Sequence, residues 1–141
     1  MKAHLTRRYW FSASHRLHSD AMSAEENRRT YGKCNNPYGH GHNYALEVTV
    51  SGPVDQGTGM VCNLVELDDF VQAQILERFD HENLNTLATF RERVPTTENL
   101  CREIFEILQR GFTLAHLEKV RLEETMMNSF EYAGNNAEIR K

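Results

Sequence analysis

The feature that most restricts how this chain can fold is the run His40-Gly-His42-Asn-Tyr44-Ala-Leu46-Glu-Val48-Thr-Val50. Alternation of this kind marks a strand with one buried face, because successive side chains point to opposite sides of a sheet. Tyr44, Leu46, Val48 and Val50 share one face, and Asn43, Glu47 and Thr49 share the other. His40 and His42 have the parity of the apolar face, so two imidazoles head the buried side of the strand. Two readings fit this placement: the pair shares a metal ion, or the glycine merely eases a strand start whose imidazoles are solvated.

A third imidazole follows from the preceding segment. Residues 5 to 15 place Leu5, Arg7, Tyr9, Phe11, Ala13 and His15 on one face and Thr6, Arg8, Trp10, Ser12 and Ser14 on the other. Aromatic and hydroxylated content of this kind favours a strand. His15 ends that strand while His40 and His42 begin the next, so antiparallel pairing gathers all three at one end of a sheet. Three protein ligands with an open fourth position is the pattern of catalytic zinc. The polar stretch 16 to 39 between the strands holds a capping box, Ser23-Ala-Glu-Glu26, that opens one short helix toward Arg29. Connections this long in a compact domain are usually functional or disordered. Cys34, beside Lys33 and among glycines, reads as an exposed loop thiol, against the alternative of a small buried hydrophobe. His18 is a spare ligand or a solvated loop residue.

The rest of the chain supplies the scaffold. Ser51-Gly-Pro and Gln56-Gly-Thr-Gly are turn chemistry. Asn63 caps a helix running to about residue 78, with Leu64, Leu67, Phe70, Val71, Ile75 and Phe79 on its buried stripe. Asp80-His81 is either a solvated helix end or an imidazole oriented by a carboxylate for proton transfer. Pro95-Thr96-Thr97-Glu98-Asn99 opens a second helix lined by Leu100, Cys101, Ile104, Phe105, Leu108 and Phe112, with Gly111 suited to its exit. Residues 118 to 126 alternate again, placing Glu124 with Val120, Leu122 and Met126; that carboxylate either anchors a ligand or sits at an exposed strand end. Phe130-Glu-Tyr132 is a last strand, before a polar tail from Gly134. Strand, strand, helix, helix, strand, strand gives an α+β fold, a four-stranded antiparallel sheet with two helices on one face. The other face is left to meet further subunits.

At 141 residues the chain is expected to be a single domain, 1–141. A net charge of -4 argues against a nucleic-acid binder, and an anionic substrate would need a local positive pocket. No apolar run approaches the ~20 residues of a membrane span, and no signal-peptide core is evident, so a cytoplasmic protein that does not bind membrane is expected. Cys34, Cys62 and Cys101 form no even set and no close pair, which fits a reducing compartment. Cys62 and Cys101 read as packing.

Taken together the motifs resemble the 6-pyruvoyl-tetrahydropterin synthase family. The matching pieces are Phe11-Ser-Ala-Ser-His15-Arg-Leu, Gly32-Lys-Cys34-Asn-Asn-Pro-Tyr-Gly-His40-Gly-His42-Asn-Tyr44, Gly59-Met-Val, Asp80-His81-Glu-Asn-Leu-Asn85, Thr96-Thr97-Glu98-Asn99 and Glu124-Thr125. The resemblance implies the tunnelling fold, in which trimers close a barrel of twelve strands and two trimers stack into a homohexamer. It implies zinc, one ion per subunit, on His15, His40 and His42, with magnesium as a further requirement for activity. The implied reaction converts 7,8-dihydroneopterin triphosphate into 6-pyruvoyl-tetrahydropterin with elimination of triphosphate, in a tetrahydrobiopterin-type pathway. Cys34 would be the base, Asp80 and His81 a relay reaching it from a neighbouring subunit, and Thr96, Thr97 and Glu124 the pterin-holding residues. The related alternative is the 6-carboxytetrahydropterin synthase of queuosine biosynthesis, in which the interval from the cysteine to the His-x-His pair tends to be shorter than the five residues present here. A zinc hydrolase and a non-catalytic zinc-stabilised or pterin-binding module are alternatives of other classes, and neither needs the Cys34, Asp80 and His81 set.

Overall fold

The computed structural model describes residues 2–134. The two alternating runs form long strands, β1 (Lys2–His15) and β2 (His40–Pro53), paired antiparallel without interruption from Lys2 opposite Pro53 to His15 opposite His40. Their parity fixes the register: a slip by one residue would turn Phe11, Tyr44, Leu46 and Val48 out of the core. Between them, Ser23 caps α1 (Ala24–Tyr31) through the expected capping box with Glu26, and a 3-10 turn follows at Gly32–Asn35.

The first of the scaffold helices starts at its Asn63 cap, whose side chain accepts from the Val65 and Glu66 N–H groups. It runs as α2 (Leu64–Val71), a π-helical turn at Gln72–Leu76, and α3 (Glu77–Phe79). The extra residue in the π turn keeps Ile75 and Phe79 fully buried on the same stripe as Leu67 and Val71. The strand β3 (Glu82–Asn83) then lies parallel to β1 beside Ala13 and Ser14. Helix α4 (Thr97–Gly111) follows, and β4 (His116–Thr125) and β5 (Asn128–Tyr132) complete a sheet in the order β3-β1-β2-β4-β5. The sheet therefore has a fifth strand that the sequence did not predict; at two residues it is too short to leave an alternating pattern. The expected polar tail lies almost wholly outside the described residues.

The core is one layer of apolar side chains between the sheet and the helices. Phe11, Tyr44, Leu46, Val48, Val50, Val120 and Leu122 meet Leu67, Val71, Ile75, Phe79, Leu100, Ile104 and Leu108. Gly111 ends α4, but its role is packing rather than an exit conformation: a Cβ there would lie 2.6 Å from the Phe70 ring. Met126 does not join the apolar face of β4. It sits in the β4–β5 turn, 97% exposed. On the uncovered face polar residues pair with one another: Arg8 and Arg121 both donate to Glu47 at 2.9 Å, and the Thr6 and Thr49 hydroxyls lie 2.8 Å apart. Among the described residues no helix is long and apolar enough to cross a membrane.

Candidate metal centre and its surroundings

Because His15 stands opposite His40 in the ladder and His42 follows one step along on the same face, the three rings meet over the last turn of the core. Their ligating atoms all lie within 4.8 Å of one another, and the His15 and His40 Nε2 atoms are 3.0 Å apart. The rings cross steeply, with centroids 4.6 to 5.1 Å apart. Gly39 makes the approach possible: it adopts a φ of +73°, and a Cβ would press to 3.1 Å from the His15 carbonyl oxygen.

His15 is 1% exposed, and its Nδ1 lies 2.7 Å from the carbonyl oxygen of Pro95. A carbonyl can only accept, so Nδ1 carries the hydrogen and the Nε2 lone pair faces the other imidazoles. His42 Nε2 is buried without a hydrogen-bond partner. Burial pushes the pKa of both His15 and His42 down, favouring the neutral, ligating form. A fixed lone pair and an orphaned buried nitrogen converging on one point fit a divalent cation of the kind that prefers imidazole.

The acid side of the site comes from β4. Between Glu123 and Thr125 the β4–β5 register shifts, so Glu124 is the unpaired residue of a bulge, a device that re-aims a side chain. Its Oε1 lies 3.8 Å from His42 Nε2, and its Oε2 accepts a hydrogen bond from the Thr97 hydroxyl on the first turn of α4. Thr97 and Glu124 are thus brought together beside the histidines. Thr96 stands next to them, but its hydroxyl caps α4 by accepting from the Asn99 N–H at 3.1 Å.

Cys34, in the 3-10 turn, is half-buried. Its carbonyl accepts from the Leu17 N–H at 2.8 Å and Asn35 donates to the Leu17 carbonyl at 2.8 Å, which laces the loop to the chain just beyond His15. Burial pushes the Cys34 thiol up, and the charge of Glu124 adds to the effect. His18 is not part of the cluster; it lies 3.0 Å from the Asn35 amide and 3.2 Å from Asp20. Cys62 and Cys101 are buried as expected, and burial pushes the Cys101 thiol up to about 12.

Asp80 and His81 are elsewhere. Asp80 accepts from the Ser12 N–H at 2.8 Å, which holds its carboxyl below the usual range, and lies 3.0 Å from His81 Nδ1. His81 has a φ of +60°, uncommon for a residue with a Cβ, and its side chain is 82% exposed. It lines a recess with Ser12, Ser14, Asn43 and His42. A single chain therefore assembles His15, His40, His42, Thr97 and Glu124, ties the Cys34 turn to the chain just beyond His15, and holds the Asp80–His81 pair against β1 at Ser12. Two participants escaped the sequence reading. The Pro95 carbonyl is a group every residue carries, so nothing could have flagged it. Tyr44 has the parity of His42 and is fully buried, its ring 5.7 Å from that of His42 and its hydroxyl near Thr97 without a hydrogen bond of ordinary geometry.

Known proteins share this fold. The family model for 6-pyruvoyl tetrahydropterin synthase matches residues 4–135. The human 6-pyruvoyl tetrahydrobiopterin synthase is 46% identical over 134 residues, 94% of this chain and 92% of that one. A solved structure of the Caenorhabditis elegans 6-pyruvoyl tetrahydropterin synthase superposes with a TM-score of 0.91 at 41% identity, over 96% of this chain and 97% of that one. An Archaeoglobus fulgidus protein described as a candidate 6-carboxy-5,6,7,8-tetrahydropterin synthase is 34% identical over 107 residues, 75% of this chain and 84% of that one. The match runs through both histidine strands, the cysteine loop and the Glu124 strand, and on that footing the chain belongs to the 6-pyruvoyl tetrahydropterin synthase family.

Proposed function

We propose that this chain is a lyase that converts 7,8-dihydroneopterin triphosphate into 6-pyruvoyl-tetrahydropterin, releasing inorganic triphosphate. The observation that carries the reading is the meeting of three imidazoles with a Thr97–Glu124 pair, with a half-buried thiol on the turn tied to the chain just beyond His15. The family and its 46% identical human member support a pterin product of this kind, and 7,8-dihydroneopterin triphosphate is the substrate that the resemblance implies.

His15, His40 and His42 would hold the metal, which we take to be zinc because all three donors are imidazole nitrogens. When bound, such a cation polarises a substrate oxygen as a Lewis acid and offsets, by its positive charge, the burial that keeps the neighbouring thiol protonated. Glu124 offers two oxygens in one plane to the amino group and adjacent N–H of a pterin ring, a match that a single hydroxyl cannot provide. Thr97 orients that carboxylate, and Thr96 fixes the helix start from which Thr97 projects. Cys34, as thiolate, takes the carbon-bound proton of the substrate side chain onto its sulfur. Asp80 holds the His81 ring, and the pair moves protons to and from the Cys34 of a neighbouring copy.

That last role requires an oligomer, and we read the assembly as a homohexamer of two trimers, each closing a twelve-stranded barrel around the uncovered sheet face. Its support is that His81 is held outward, in a left-handed backbone conformation, with its side chain 82% exposed. Within the cytoplasm, the expected compartment, the three thiols stay reduced. Magnesium as an activator is carried over from the family resemblance.

The test is to incubate the zinc-loaded protein and a Cys34→Ala variant with 7,8-dihydroneopterin triphosphate, following triphosphate release and weighing the pterin product. The pyruvoyl product is expected, with kcat reduced by roughly 10²- to 10⁴-fold in the variant. A carboxy product would move the chain to the queuosine branch. Undiminished turnover in the variant would remove Cys34 as base, and binding of substrate without turnover would leave a pterin-binding module.

A further inference from the structure

We infer that the cavity between α1 and the Gly32–Asn35 turn seats the triphosphate tail of the substrate, with Arg28 and Lys33 as its anion-binding groups and Arg16 at its base. The inference rests on the reaction proposed above and adds to it the residues that hold the leaving group.

Charge is the first argument. The chain carries a net charge of -4, so a polyanion gains nothing from the average field and needs a local positive basin. Most cations on the sheet are already occupied: Arg7 pairs with Asp68, Arg8 and Arg121 with Glu47, and Lys119 with Glu131. Arg16, Arg28 and Lys33 differ, since none has a carboxylate at ion-pair distance among the described residues. All three line one cavity of about 420 Å³, together with His18 and Asn35, and no carboxylate lines it. A neighbouring cavity shares Arg16 and His18 and adds Arg91 and Arg93, but Asp20 and Glu92 also line it and largely cancel its charge. The two cavities have similar sizes and opposite prospects for an anion.

Position is the second argument. Arg16 directly follows the ligand His15, and its Nε donates to the Asn35 carbonyl at 3.1 Å, which holds the guanidinium at the cavity wall. Lys33 and Asn35 flank Cys34 on a turn already laced to Leu17. Contacts therefore run from Glu124 to His42, from the histidines to the Arg16 segment, and from there to the cationic cavity. The substrate has the same order, ring, then hydroxylated side chain, then phosphates. Because these cations grip the tail equally before and during proton abstraction, they contribute uniform binding, which sets KM rather than kcat.

The experiment compares two double variants of the zinc-loaded protein, Arg28→Ala/Lys33→Ala and Arg91→Ala/Arg93→Ala. Steady-state kinetics with 7,8-dihydroneopterin triphosphate are measured with and without added inorganic triphosphate. Expected for the first is a KM raised about tenfold or more per cation lost, with the inhibition constant for triphosphate rising in step. Expected for the second is a KM and an inhibition constant within about twofold of the parent. Arg28→Ala alone, remote from the Cys34 turn, should raise KM with kcat unchanged. Equal effects from both doubles, or a normal KM in the first with full turnover, would overturn the inference while leaving the reaction standing. Inhibition by triphosphate that does not compete with substrate would also overturn it, by placing the anion at a separate site. If the parent protein releases no triphosphate, the reaction itself fails; calorimetric titration of inorganic triphosphate into parent and first variant then decides whether the cavity binds polyphosphate at all.

Discussion

Two stretches of the same sheet face treat their polar groups in opposite ways. Toward the middle of β1, Arg7 donates through Nε and an Nη to both oxygens of Asp68, at 3.0 and 2.8 Å, and Tyr9 donates to the same carboxylate at 2.8 Å. Each of these three side chains has a partner within the chain. At the end of β1 and start of β2, His42 Nε2 and the Tyr44 hydroxyl are buried without partners, and His15 directs a lone pair at another imidazole. Unsatisfied buried polar atoms cost stability, so a fold keeps them only where something from outside completes them. The cluster that closes on itself is structural, and the one left open is the candidate site.

The largest test of that contrast is His42→Ala. Removing one of the three proposed ligands is expected to abolish stoichiometric metal binding and lower turnover by several powers of ten. The metal-free protein should lose no more than the ring's packing against His15, His40 and Tyr44, on the order of 1 kcal/mol, because the deleted nitrogen has no hydrogen-bond partner in the fold. Metal analysis and denaturant unfolding of the metal-free forms measure the two effects separately. Substantial destabilisation of the metal-free variant would show that His42 serves the fold, and the contrast would break.

A matched pair of tyrosine substitutions sharpens it further. Tyr9→Phe takes a donor from Asp68 and is expected to destabilise by roughly 0.5–1.5 kcal/mol. Tyr44→Phe deletes a buried hydroxyl that has no properly formed hydrogen bond, and metal-free stability should stay level or rise by about 1 kcal/mol. Urea unfolding of both metal-free variants gives the sign, which carries the argument. The same sign in both would mean the Tyr44 hydroxyl is satisfied after all.

Both regions differ in how far they could be read from sequence. Alternation placed His15, His40 and His42 on one face, and the ladder from Lys2–Pro53 to His15–His40 fulfils it residue by residue. Helix starts at Ser23, Asn63 and Thr96 were legible because capping is local chemistry. Glu124 had the right parity, but the bulge that aims it depends on the β4–β5 turn, where the same parity misplaced Met126. Nothing local announces β3, whose two residues pair only because β1 offers an edge, nor the π turn, nor the Pro95 carbonyl. The Arg7–Asp68–Tyr9 cluster joins residues 61 and 59 positions apart, and the sequence offered no reason to connect them. Periodicity reports faces; partners across the fold come from tertiary packing.

The smallest expected effect concerns acid. Hydrogen bonds from Arg7 hold the Asp68 carboxyl below its ordinary value of 3.8, with Tyr9 assisting against partial burial. A carboxyl whose pKa is depressed by folding binds fewer protons in the native state than in the unfolded one, so it adds stability above the unfolded value. That contribution is fully present near neutrality and is lost as pH falls below 3.8 and through the lowered native value. Asp68→Asn should therefore flatten the acid limb of a stability profile of the metal-free protein, with a modest offset at pH 7 because the pair is partly exposed. Measuring urea midpoints from pH 7 to pH 2.5 for the parent and this variant isolates the term. An acid limb as steep in Asp68→Asn as in the parent would mean that other carboxylates dominate acid unfolding. Asp80, held down by the Ser12 N–H, is then the group to replace next, and its loss would also bear on the His81 it orients.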